Sequence, residues 1–191
     1  MIHMQFKYLA LSASLLIILI IQNVYASYID HPVHSGRWTD KYDRHFKKYR
    51  KRYFWPLFDW HWFKAQAIAE SGLDDDAKSH VGATGLMQIM PDTFTEISKK
   101  NPHFAKLESP HWNIAAGIYY DRMLYRKFKN TAEQDKLYLT FASYNAGYGR
   151  ILNASKRTDS KEKNWDELKK YLPKETRGYV RRIRKLMGED E

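Results

Sequence analysis

Three glycines, Gly72, Gly82 and Gly85, fall within residues 72–90, a stretch with no sustained helical or strand period that interrupts an otherwise helical pattern. Glycine gives the backbone access to conformations that other residues avoid, so this stretch is expected to be loop or short strand. Before it, Pro56 sits at a plausible first helical position. Leu57, Trp60, Phe63, Ala67 and Ile68 follow at three- and four-residue spacings, and Gly72 supplies the stop. Glu70 therefore falls near the C-terminal end of a helix. Beyond the stretch, Pro91 restarts a helix in PDTFTEISKK, and Asn113 is read as opening another in NIAAGIYYDRML. Thr131 with Gln134, and Asn164 with Glu167, have the spacing of capping boxes. The glycines of NAGYGRI break the helix between those boxes, and Pro173 begins the last one. The pattern predicts a single mostly α domain with one small irregular or β lobe.

The N-terminus bears on compartment. His3 and Lys7 precede the uncharged run Tyr8–Ile21, and Val24 and Ala26 occupy small-residue positions further on. This is the pattern of a secretory signal peptide over residues 1–26, with an uncleaved inner-membrane anchor through residues 8–21 as the alternative. Residues 1–26 contain one Lys and no Asp or Glu, so the net charge of +10 becomes +9 for the remainder. A basic protein of this kind seeks polyanions. Export to the periplasm or cell envelope turns that charge away from nucleic acid and towards anionic envelope polymers, with at most weak association to the envelope surface. The chain has no cysteine, which excludes disulfides and thiolate metal sites. Residues 27–54 are polar, basic and aromatic, with no clear helical stripe in KKYRKRY, and are expected to be a linker before a domain at 55–191.

Glu70 follows the apolar stretch Ala67–Ala69 near a helix C-terminus. Burial and the negative end of the helix dipole both favour the neutral acid and raise its pKa, as a general acid near neutral pH requires. The next residues are more specific. AIAES, then SHVGATGLMQIMPDT from Ser79 to Thr93, then ASYNAGYGRI from Ala142 to Ile151, then LPKETRGYV from Leu172 to Val180, occur in that order. Together they resemble the motifs of SLT-type lytic transglycosylases, whose fold is goose-lysozyme-like. The resemblance spans Trp55 to Met187. It implies that the irregular lobe lies beside an active-site cleft and that Glu70 is the catalytic residue. It further implies that Ser79, Gln88, Met90, Tyr144, Asn145, Glu175 and Tyr179 bind substrate. One departure is visible: where the family often has an aromatic residue and Asn-Pro after Glu-Ser, this chain has Gly72, Leu73, Asp74, Asp75 and Asp76.

The resemblance also implies a chemistry. Glu70 would protonate the glycosidic oxygen between N-acetylmuramic acid and N-acetylglucosamine. It would then take the proton from the sugar's own 6-hydroxyl, closing a 1,6-anhydro ring without water. No cofactor or metal is required, and no metal-ligand spacing is evident among the eight His. The expected partner is the peptidoglycan glycan strand, and the expected state a monomer. Two alternatives stay open on the sequence. A lysozyme-type hydrolase would need a second carboxylate, for which Asp74, Asp75, Asp76 and Asp92 are near in sequence. A non-catalytic peptidoglycan-binding protein would keep the cleft alone.

Overall fold

A computed structural model describes residues 31–158 and 163–189. The signal peptide or anchor assigned to residues 1–26 lies outside the described residues. Among the described residues no helix is long and apolar enough to cross a membrane.

The fold is mostly α. Its helices are α1 (Asp43–Phe54), α2 (His61–Ser71), α3 (Pro91–Lys100), α4 (Pro110–Tyr125), α5 (Glu133–Ala146), α6 (Tyr148–Ser155), the single-turn α7 (Trp165–Leu168) and α8 (Lys174–Leu186). Short 3-10 turns cover Pro32–His34 and Lys169–Tyr171. Between α2 and α3 the expected irregular lobe carries two isolated antiparallel bridges, Lys78 with Thr84 and Thr84 with Ile89.

Helix α2 runs through the middle of the molecule, and every residue from His61 to Ile68 is buried. Its polar members are each engaged. Lys64 Nζ meets Asp43 Oδ1 at 2.7 Å, Gln66 Nε2 donates to Asp121 Oδ1 at 3.1 Å, and His61 Nδ1 lies 2.5 Å from Asp59 Oδ1. Buried polar groups need such partners, because an unmet donor or acceptor costs about 1–3 kcal/mol. Helices α1, α4, α5 and α8 pack around this axis.

Several local expectations are corrected. The segment 43–54 is not a linker but helix α1. Its Phe46, Tyr49 and Phe54 are buried, with the Phe54 ring 4.9 Å from Phe63. Basic residues fill the intervening positions and hide the apolar stripe. Helix α2 begins at His61 rather than at Pro56: Phe58 has a positive φ of 39°, and Asp59 Oδ1 accepts the His61 amide at 2.9 Å, fixing the first turn there. Helix α4 begins at Pro110, which leaves Asn113 inside it. The N-cap of α5 is Ala132 without a side-chain cap, so Thr131 and Gln134 form no capping box; Gln134 bonds Tyr138 and Glu189 instead. Asn164 does cap α7, accepting the Glu167 amide at 2.8 Å. Gly72 closes α2 in the left-handed conformation, at φ 68°.

Candidate active site

Glu70 stands in the last turn of α2, where the buried helix reaches the surface beside the irregular lobe. Its carboxyl is partly shielded from water, and loss of solvation pushes its pKa up to about 7. One interaction opposes that rise. Tyr179 on α8 donates a hydrogen bond of 2.6 Å from its hydroxyl to Glu70 Oε1, which favours the carboxylate. Desolvation prevails. The acid is therefore poised between its two protonation states near neutral pH, where one group can both give and take a proton.

The wall next to Glu70 is the segment Ser79–Met90, and most of the site's hydrogen bonds hold it in place. Ser71 Oγ donates to Leu86 O at 2.9 Å, tying the end of α2 to the loop. Tyr144 on α5 donates from its hydroxyl to Met87 O at 2.8 Å, and its ring meets Tyr120 edge-on at 5.4 Å. Asn113 on α4 clamps the same segment from behind. Its Oδ1 accepts Met87 N at 2.8 Å, and its Nδ2 donates to Thr84 O at 2.9 Å and Leu107 O at 3.1 Å. This clamp requires Gly85, which has φ 77°; a Cβ there would lie 2.6 Å from Asn113 Nδ2. Sequence reasoning misses Asn113 and Ser71 as site-building residues. Their signal is present in NIAAGIYYDRML and AIAES, but an amide that braces a backbone has no spacing rule that reveals it.

The residues expected to bind substrate divide by what they do in this structure. Tyr179 touches Glu70 directly. Tyr144 lies close enough for the Glu70 and Asp121 charges to raise its own pKa, after desolvation, which acts most strongly. Ser79 Oγ accepts Ala83 N at 2.9 Å, closing its own loop while keeping its hydroxyl proton to donate. Gln88, at a positive φ of 44°, donates its amide to Ala77 O at 3.2 Å and Gly85 O at 3.0 Å, so it braces the lobe. Met90 is exposed at 39% and ends the wall. Asn145 is partly exposed at the end of α5. Glu175 is exposed one turn ahead of Tyr179 on the same side of α8.

The nearby acids are placed differently. Asp75 is held by a hydrogen bond with Tyr42 and by Lys41 at 3.3 Å, which keep its carboxyl below the usual range. Asp74 accepts the Asp76 amide at 3.0 Å in its own turn. Asp92 is exposed in the first turn of α3. Asp121, on α4, is fully buried. Desolvation raises its pKa well above the usual carboxylate range, and the Glu70 charge adds to the rise. Burial favours its neutral form, and it is sealed from the cleft.

A desolvated carboxyl at a helix end, faced by a tyrosine from another helix and walled by a braced irregular lobe, defines a site for proton transfer to and from a bound substrate. Comparison with known proteins narrows the class. The family described as "Transglycosylase SLT domain" matches residues 55–166. The chain is 32% identical over 141 residues to a membrane-bound lytic murein transglycosylase F of Vibrio cholerae, covering 72% of this chain and 24% of that protein. It is 31% identical over 137 residues to the protein of the same name from Actinobacillus pleuropneumoniae, covering 70% and 26%. Among solved structures, an inactive mutant of lytic transglycosylase Slt from Pseudomonas aeruginosa superposes with a TM-score of 0.67 at 29% identity, covering 79% of this chain and 24% of that one. The 70 kDa soluble lytic transglycosylase of Escherichia coli superposes at 0.62 with 31% identity, over 79% and 24% of the two chains. The chain belongs to the transglycosylase SLT domain family. It spans about a quarter of the length of these relatives.

Proposed function

We propose that this chain is a peptidoglycan lytic transglycosylase, which cleaves the bond between N-acetylmuramic acid and N-acetylglucosamine and leaves 1,6-anhydro-muramyl ends. The observation that carries the reading is the Glu70 carboxyl, pushed up to about 7 by desolvation and hydrogen-bonded by Tyr179. Protonated Glu70 delivers its proton to the glycosidic oxygen as the bond breaks. The carboxylate that results accepts the Tyr179 hydroxyl, and this bond strengthens as negative charge develops. The same carboxylate then removes the proton from the 6-hydroxyl, which attacks the anomeric carbon and closes the ring. One O–H proton enters Glu70 for each one that leaves it, and no water is consumed. The names of the relatives, murein transglycosylases, support the substrate class.

The hydrolytic alternative needs a second carboxylate that holds water against the sugar. Asp74 accepts an amide in its own turn, Asp75 is held by Tyr42 and Lys41, and Asp121 is sealed in the core, which counts against these three; Asp76 and Asp92 are exposed, and the products decide between the two reactions. The chain acts on glycan strands in the cell envelope, as a monomer, and its positive charge favours contact with an anionic surface. Mass spectrometry of peptidoglycan digested by the purified protein tests the reaction. Anhydro-muramyl ends are expected, and a digest showing reducing ends alone refutes the proposal. Glu70→Gln preserves shape and removes the titrating group, so its digests should show neither product.

A further inference from the structure

Helix α1 buries one side and charges the other. Phe46, Tyr49 and Phe54 turn to the core. Arg44, Lys48 and Lys51 recur at four- and three-residue spacings on the other side, with Lys47 and Arg52 flanking them, and all five are exposed. The one acid of the helix, Asp43, is taken by Lys64 at 2.7 Å. Among the described residues no Asp or Glu forms an ion pair with any of the five. Like charges three and four residues apart on a helix repel, so this face works against the fold rather than for it. The buried rings hold α1 in place without it.

Trp55 directly follows this face. Its side chain is 66% exposed, the most of any large apolar residue among those described. The Arg50 guanidinium lies 5.1 Å from its ring centroid, and Arg50 Nε is itself tied to Phe58 O, so the indole is held outward. The N-terminal end of the described chain runs to the same side. The ring centroids of His34 and His61 are 4.0 Å apart, those of His61 and Trp60 are 3.6 Å apart, and Lys47 Nζ stands 4.7 Å from the Trp60 centroid. Residues 22–30 separate His31 from the uncharged run Tyr8–Ile21, a reach of about 30 Å at full extension.

We propose that the α1 face, from Arg44 to Trp55, docks on an anionic phospholipid surface, independently of the reaction at Glu70. Lysine and arginine side chains are drawn to such a surface, and the attraction fades over a Debye length of about 8–10 Å. An indole beside them sits at headgroup level, where its apolar ring and its N–H are both accommodated. Trp55 selects lipid over an anionic wall polymer, which attracts the cations but offers the ring no apolar layer. A second copy of the chain is opposed by charge, since each carries +10. Where the run Tyr8–Ile21 is retained in a membrane, it keeps this face within reach of the same bilayer.

The test titrates the full chain with vesicles whose acyl chains are brominated, and follows quenching of tryptophan fluorescence. Residues 1–30 contain no Trp, so the signal reports the domain rather than the N-terminal run. Quenching is expected with vesicles of phosphatidylglycerol and phosphatidylcholine in equal parts, and little with phosphatidylcholine alone. Trp55→Phe should lose most of it. The triple variant Lys48→Gln, Lys51→Gln, Arg52→Gln should need at least ten times more lipid for half-maximal quenching, with an unchanged melting temperature confirming its fold. Lys156→Gln, Lys170→Gln, Lys174→Gln removes the same charge from exposed lysines outside α1 and should bind nearly as the unaltered chain does. Glu70→Gln should also bind unchanged, which keeps this result distinct from the catalytic one. Equal quenching by the two kinds of vesicle, equal loss in the two triple variants, or full quenching in Trp55→Phe would each overturn the proposal. So would sacculus binding that falls in the α1 variant while vesicle binding holds, which would assign the face to a wall polymer.

Discussion

The Tyr179 hydroxyl reaches Glu70 Oε1 at 2.6 Å although 109 residues separate the two in sequence. This contact joins the last long helix to the buried central one, and it works against the desolvation that raises Glu70. Tyr179→Phe removes the donor and leaves the ring. A hydrogen bond to a charged group contributes about 1.5–3 kcal/mol, and a pKa unit corresponds to about 1.4 kcal/mol. The variant's pH–rate profile should therefore move upward by about one unit or more, with a lower maximal rate. An unshifted profile would show that the bond does not act on the titrating acid.

Glu70 also makes stability depend on pH. Its folded pKa, about 7, lies above its ordinary value of 4.5. Between those values the folded protein binds more protons than the unfolded chain, so stability falls as pH rises and the cost is fully present above about pH 7. Glu70→Gln lifts this cost, and Gln Oε1 still accepts from Tyr179. The variant should be more stable than the unaltered chain by about 3 kcal/mol at pH 8 and by little at pH 4. Urea denaturation at the two pH values measures the difference, and a pH-independent gain would contradict the elevated pKa.

Asp121 offers a contrasting case. Burial pushes the Asp121 carboxyl towards its neutral form, which an amide of the same shape replaces with little change in charge. Asp121→Asn should alter stability at pH 7 by less than about 1–2 kcal/mol and leave the pH–rate midpoint in place. A midpoint that drops in this variant would mean that Asp121 is ionised and repels charge on Glu70.

The Asn113 clamp should be costly to remove. Asn113→Ala strands Met87 N and Leu107 O and removes one of two donors to Thr84 O, which keeps the Ile89 amide. Each buried group left unmet costs about 1–3 kcal/mol, so a loss of about 2 kcal/mol or more is expected, with activity falling as the wall loosens. Gly85→Ala should fail in the same way, through its positive φ and its collision with the same amide. Thermal melts and glycan-cleavage rates of the two variants report both effects.

Helix α1 is held by its buried rings. Phe46→Ala should cost about 3–5 kcal/mol, as for other buried aromatic truncations, since its ring is fully enclosed. A linker residue would tolerate the change, so chemical denaturation distinguishes the two descriptions.

Much of the fold and of the site is legible in the amino-acid sequence. Glu70 at a helix end, the left-handed stop at Gly72, the irregular lobe and the Asn164 cap follow from local rules about glycine, helix termini and burial. What is not legible depends on contacts distant in sequence. The stripe of α1 is masked by its lysines and arginines, whose long stems tolerate positions between buried rings. Asn113 reads as a helix start because asparagine is common there, whereas its amide partner Met87 N lies on a loop 26 residues away. The Thr131–Gln134 spacing fits a cap, but Gln134 reaches Tyr138 and Glu189. Gln88 and Ser79 have roles in lobe geometry that a motif does not separate from roles in sugar contact.

Because α2 is enclosed from His61 to Ile68, the Glu70 carboxyl is anchored to a helix buried on all sides. Under the proposed function a glycan must be brought to it; the acid cannot travel to meet a differently shaped strand. Divergence in strand preference must then accumulate in the borders of the groove, such as Gly72–Asp76 and Met90, while the axle beneath them stays fixed.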